Sequence, residues 1–164
     1  MKDLIKQKNI IVQKWLDAVI DSYQPETALF FNNNSNQFKN PAGILIKKSI
    51  ETLALFVLKG SDPGGGSDPG TGSDRDAATR ALTDILSLRA VQDFSPSGAV
   101  DFIPALRGIV REVAGADAAT QLEARIDELL LMAFDIYQER REKISGLRVR
   151  ELRGGMLRAA EGKE

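Results

Sequence analysis

Apolar side chains recur at steps of three and four along almost every stretch of this chain, and no stretch alternates apolar and polar residues as a half-buried strand does. That single pattern commits the chain to helices. In the first segment Leu4, Ile11, Trp15, Val19 and Tyr23 follow helical spacing, with Ile5, Val12, Leu16 and Ile20 widening the stripe, so a helix is predicted over about 4–22. Pro25 stops it and starts a short helical turn through Phe31, and Asn32–Asn36 reads as a loop because asparagine bonds its own backbone.

Local punctuation places the remaining helices. Asn40-Pro41 is a capping residue followed by proline at the first helical position, opening a helix to about Lys59. That helix is apolar almost all round, which predicts a central place in the fold. Ser73 or Asp74 is expected to cap a helix over about 75–92, with Ala78, Leu82, Ile85, Leu86 and Arg89 on one side. Ser95-Pro96 repeats the capping logic for a helix to about Ala114, which Pro104 should kink by deleting the bond to the Val100 carbonyl. Gly115 ends that helix, and Asp117 is expected to cap a long last one over about 118–153. Leu122, Ile126, Leu129, Leu130, Ala133, Phe134 and Tyr137 form its expected core face, and Gly154-Gly155 is the expected stop.

Between the third and fourth helices lies Gly60–Asp74, in which Gly-Ser-Asp-Pro-Gly occurs twice and no apolar side chain occurs at all. Such a segment cannot offset its own ordering entropy and reads as a flexible loop inside one domain spanning 1–164. Neither flank has enough helices to close a core alone. The fold class is therefore all-α, a bundle of about six helices with a long C-terminal helix.

Composition removes several functions. The 164 residues contain no cysteine and no histidine, and 22 Lys and Arg against 23 Asp and Glu leave a net charge of −1. That balance argues against a dedicated nucleic-acid binder. Without cysteine there is no disulfide framework or thiolate metal site, and a cytoplasmic location fits. Without histidine the commonest general acid/base, the commonest metal ligand and the usual proximal haem ligand are missing. The first residues are not a signal peptide, and no window approaches the roughly 18 apolar residues of a membrane span. Asp93, Asp101 and Asp135 lie on or near apolar faces. They read better as a turn residue (Asp93) and as helix-edge carboxylates paired with Arg89 or Arg140 than as a catalytic set. From Glu139 to Arg158 seven cations stand against three anions, which suits either an acidic partner or, more simply, a solvated helix end complementing its dipole.

Three stretches carry a resemblance to a known family. Leu88-Arg89-Ala90-Val91-Gln92-Asp93-Phe94-Ser95-Pro96-Ser97-Gly98-Ala99-Val100 is the strongest. The second is Ala133-Phe134-Asp135-Ile136-Tyr137 followed by Arg141-Glu142-Lys143-Ile144, Leu147-Arg148-Val149 and Glu151. The third is Phe38-Lys39-Asn40-Pro41-Ala42-Gly43, where Asn36 and Gln37 replace an acidic residue and a proline. Together, in this order, they resemble the RsbT co-antagonist RsbRD amino-terminal domain of RsbR-type stress regulators. The resemblance marks Arg89, Asp93, Ser95, Pro96, Asp135, Tyr137, Asn40 and Pro41 as motif residues. It implies a globin-like helical fold without haem, a dimer, and a last helix that passes a signal to a following module in stressosome-like assemblies. No such module follows before Glu164, so the chain is expected to be a stand-alone input protein or a piece cut ahead of its output. No catalytic, cofactor or metal residue is carried over.

The expected function is thus a non-enzymatic sensory or regulatory domain working through protein contacts, as a homodimer and with a regulatory partner. Ile144 and Leu147 are the candidate interface, because a helix over 118–153 at roughly 1.5 Å per residue extends about 54 Å and outruns a small bundle. The alternative is a small-molecule carrier with a cavity lined by Trp15, Phe56, Phe102 and Phe134. Reconstitution with haemin should give no stoichiometric Soret band, since tyrosine and methionine are the only remaining side chains of the usual axial types. A one-to-one complex with a defined axial ligand would contradict that expectation.

Overall fold

The computed structural model describes residues 2–33, 39–59, 72–92 and 94–161. These form seven helices: α1 Lys2–Asp21, α2 Pro25–Asn33, α3 Pro41–Lys59, α4 Gly72–Val91, α5 Pro96–Val100, α6 Phe102–Ala114 and α7 Ala116–Glu161. No strand occurs among the described residues. The all-helical expectation holds. Most of the Gly60–Asp74 segment lies outside the described residues, as do Asn34–Phe38 and Asp93.

Five helices close a ring. α1 packs on α3 and α6, α3 on α4, α4 on α7, and α7 back on α6. Their apolar stripes meet in one core that includes Ile11, Trp15, Ile50, Leu53, Leu82, Ile85, Ile103, Leu106, Leu122 and Ile126. Each fully buried aliphatic side chain there contributes roughly 1.5–3 kcal/mol. α3 has the central burial its sequence predicts, although Leu45 and Leu55 reach the surface. Lys59 at the end of α3 pairs with Asp74 at the start of α4, 3.4 Å away, so these two helix ends are adjacent in space.

The caps form where the motifs place them. Asn40, almost fully buried, accepts from the Gly43 N–H at 2.9 Å and donates to the Phe31 carbonyl at 2.9 Å. One side chain thereby caps α3 and ties it to α2. Ser95 accepts from the Gly98 N–H at 3.1 Å to cap α5. Gly115 closes α6 at φ 91°, where a side chain is disfavoured, and its N–H bonds the Arg111 carbonyl at 3.1 Å.

Several boundaries differ from expectation. The helix predicted over 96–114 is two pieces, divided at Asp101, which keeps helical angles (φ −61°, ψ −23°). The division is a kink rather than a loop. Pro104 explains it, since its ring and missing N–H leave the Val100 carbonyl without its helical partner. α4 starts at Gly72, so Ser73 and Asp74 lie in its first turn rather than at its cap. Asp117 likewise sits in the first turn of α7. Asn32 and Asn33 extend α2. Gly154-Gly155 does not stop α7: glycine lowers helix propensity by about 1 kcal/mol but, unlike proline, leaves the N–H in place. Phe134 is 52% exposed and is not a core residue.

Two glycines with opposite surroundings test the packing. A Cβ on Gly43 would stand 2.4–2.8 Å from the Asn40 carboxamide, whereas one on Gly108 meets nothing within 4 Å. Gly43→Ala must displace a buried cap and should cost about 1–3 kcal/mol. Gly108→Ala, in the exposed interior of α6, should add about 0.5–1 kcal/mol. Urea denaturation of the two variants should move the midpoint in opposite directions.

Candidate functional site: a buried arginine at the helix crossing

Arg89 lies on the apolar side of α4, and its side chain is fully buried. A guanidinium there must find partners, because an uncompensated buried charge is costly. It finds them on two other segments. Nη1 donates to the Gly98 carbonyl at 2.9 Å and the Ala99 carbonyl at 3.3 Å, both in α5 just before the kink into α6. It also faces Asp101 at 3.5 Å. Nη2 donates to Ser22 Oγ at 2.7 Å, at the end of α1. The planar group lies against three rings, with Cζ 4.8 Å from the centroids of Phe94 and Phe102 and 5.2 Å from that of Tyr23. Cation–π contacts of this kind strengthen when desolvated.

The aromatic shell continues outward. Tyr23 stands edge-on to both Phe94 and Phe31, at 5.3 Å between centroids in each case. Trp15 stacks with Phe102 at 6.1 Å, and its Nε1 donates to the Phe102 carbonyl at 2.6 Å. Burial pushes the Tyr23 hydroxyl above the ordinary tyrosine value of 10.0, and the nearby Arg89 charge offsets part of that rise. Tyr137 of α7, also buried, donates to the Phe94 carbonyl at 2.6 Å. One short turn after α4 is therefore held from inside by Arg89 and from the far side by α7.

This geometry brings together Arg89, Ser95, Pro96 and Tyr137, and it leaves the other motif residues elsewhere. Asn40 and Pro41 cap α3. Asp135 is exposed on α7, and Asp93 lies outside the described residues. Asp101 pairs with Arg89 as a helix-edge carboxylate, one of the two partners expected for it. Ile144 is half-buried against the core, so it has the intramolecular contacts its sequence position was expected to lack, whereas Leu147 is 57% exposed. Of the four aromatics that a carrier cavity would use, Trp15 and Phe102 stack on each other, Phe56 is buried and Phe134 is half exposed.

A comparison with protein families matches residues 10–152 to the RsbT co-antagonist protein rsbRD N-terminal domain. The chain belongs to this family. No match was found among curated proteins or among solved structures. Membership in the rsbRD N-terminal family implies a regulatory domain of stress signalling. No described helix is long and apolar enough to cross a membrane. Within the family segment, the two motif stretches with Arg89 and Tyr137 meet physically through the Phe94 carbonyl. Sequence reasoning missed Ser22 and did not place Tyr23 and Phe102 beside Arg89. The available signal was the placement of Arg89 in an apolar row, which demands acceptors from elsewhere in the chain.

Arg89→Lys should cost about 2–4 kcal/mol, because an ammonium cannot reproduce a fork that bonds two carbonyls and a hydroxyl in one plane. Tyr137→Phe, which removes one hydrogen bond and little volume, should cost about 1 kcal/mol. Chemical denaturation giving Arg89→Lys parental stability would show that the guanidinium does not hold the crossing.

Proposed function

We propose that this chain is a non-catalytic sensory domain of cytoplasmic stress or metabolic signalling, which acts through protein contacts along the distal part of α7 and self-associates as a homodimer. The observation that carries the reading is the length and surface of that helix. Its 46 residues extend about 69 Å at roughly 1.5 Å each. Ile144 is the last residue packed against the core, and beyond it Leu147, Val149, Leu152, Met156 and Leu157 are exposed. Five large apolar side chains on about four turns of otherwise charged helix are more than scattered surface residues, and such groupings mark contact sites.

Their arrangement supports a helix-to-helix contact. Leu131, Phe134, Val149, Leu152 and Met156 fall on one line when three- and four-residue steps are followed through Gln138, Arg141 and Ser145. Leu147 instead continues the core line of Leu129, Ala133, Tyr137 and Ile144 past the end of the core. Leu147 lies on nearly the opposite side of the helix, so a two-fold helix-to-helix contact along the first line buries Val149, Leu152 and Met156 and leaves Leu147 outside it.

The test uses Val149→Lys with Leu152→Lys, both exposed positions on that line, since Ile144→Lys would also damage the core. The parent protein should sediment as a dimer. The double variant should sediment as a monomer with unchanged helical circular dichroism. A parent that is monomeric at high concentration, or a variant that stays dimeric, removes this interface.

A further inference from the structure

A cleft of about 430 Å³ opens where the α1–α2 turn meets the end of α4, lined by Ser22, Tyr23, Gln24, Thr27, Gln92 and Phe94. Its size is that of a small-molecule site. None of these side chains is charged, yet a cation lies directly behind them. Three of the six contact the buried Arg89: Ser22 through a 2.7 Å hydrogen bond, and Tyr23 and Phe94 through their ring faces. Asp101, which pairs with Arg89 at 3.5 Å, is 61% exposed and compensates the buried charge only weakly. Arg89 Nε is buried without a hydrogen-bond partner, and the buried Tyr23 hydroxyl has the Arg89 guanidinium as its polar neighbour. Arg107 and Arg140 also leave an Nε unpaired, but both side chains are partly exposed, whereas the Arg89 cation is fully buried behind the cleft.

We propose that this cleft binds a small monocarboxylate with an apolar body, its carboxylate at Ser22 backed by the Arg89 guanidinium and its body on the rings of Tyr23 and Phe94. Ser22 is exposed at the rim. A carboxylate takes the hydroxyl proton now given to the Val19 carbonyl at 2.6 Å, or, after one rotamer change of Ser22, meets Nη2 itself. Gln24, Thr27 and Gln92 supply neutral donors around it. Asp21 and Glu26, exposed and next in sequence to lining residues, place negative charge near the mouth. They disfavour phosphate esters and other multiply charged anions more than a monoanion. The proposal deepens the sensory reading and rests on it only for the consequence of binding: the cleft wall is Phe94, whose carbonyl holds Tyr137 of α7.

The test uses the full chain with benzoate, phenylacetate and isovalerate at millimolar concentration, each beside its primary amide, followed by calorimetry and amide chemical shifts. At least one carboxylate should bind, with its amide roughly tenfold weaker or worse, as expected for loss of a charge-assisted bond. Shifts should centre on residues 22–27 and 92–94. Thr27→Trp fills the cleft from a half-buried position that does not touch Arg89, and should abolish binding while keeping the parental melting temperature. Binding by none of the three acids, equal binding by acid and amide, shifts centred elsewhere, or parental binding by folded Thr27→Trp would each overturn the proposal. If Thr27→Trp fails to fold, the shift map and the acid–amide comparison decide. A protein that binds the acid but remains monomeric leaves this site standing and removes only the assembly reading.

Discussion

Burying the charge of Arg89 is the constraint on which the rest of this fold hangs. A guanidinium cannot be deprotonated in a protein, so the chain must bring acceptors to it. Those acceptors come from α1 through Ser22 and from the kink between α5 and α6 through Gly98 and Ala99. Pro104 deletes the helical partner of the Val100 carbonyl, and the fork of Arg89 bonds the two carbonyls just before it, those of Gly98 and Ala99. The Tyr23, Phe94 and Phe102 rings then exclude water from the group without adding a second buried ion. Most of the surface ion pairs, such as Lys14–Glu112 at 2.8 Å between α1 and α6, add little by comparison because water screens them.

What could be read from the sequence was whatever depends on neighbours within one helical turn. Asn40-Pro41 and Ser95-Pro96 are capping signals whose bonds span three residues, and both form as written. Apolar spacing identified Trp15, Leu82, Leu122 and Ile126 as core residues because a helix presents one face to its neighbours. Phe134 was misplaced because it follows Ala133 by one residue, and periodicity alone does not say which of two adjacent apolar positions turns inward. The glycine pair at 154–155 was overread for a related reason: propensity is a small local cost, which an uninterrupted hydrogen-bond ladder outweighs.

The site was less legible because it is assembled over long separations. Ser22 and Arg89 are 67 residues apart, and Phe94 and Tyr137 are 43 apart. Each of these residues has an ordinary local reading. Ser22 ends a helix, Phe94 sits in a turn, and Tyr137 continues an apolar row. Only the row containing Arg89 carried a conflict between a local apolar pattern and a permanent charge. Such conflicts are where sequence patterns and functional sites tend to coincide.

The position of Tyr137 along α7 gives that contact mechanical weight. Roughly seven residues beyond Tyr137 the helix leaves the core, and Glu161 lies 24 residues beyond Tyr137, or about 36 Å at roughly 1.5 Å per residue. A tilt of about 5° at the Phe94–Tyr137 contact displaces that far end by about 3 Å, close to the shifts through which packed helices commonly switch. The same tilt near the middle of the core would be resisted by Leu122, Ile126 and Leu129, which are fully buried on the opposite side of the fulcrum. The hydrogen bond from Tyr137 to the Phe94 carbonyl thus lies close to where α7 leaves the packed body, so a small change in that turn acts on a long lever.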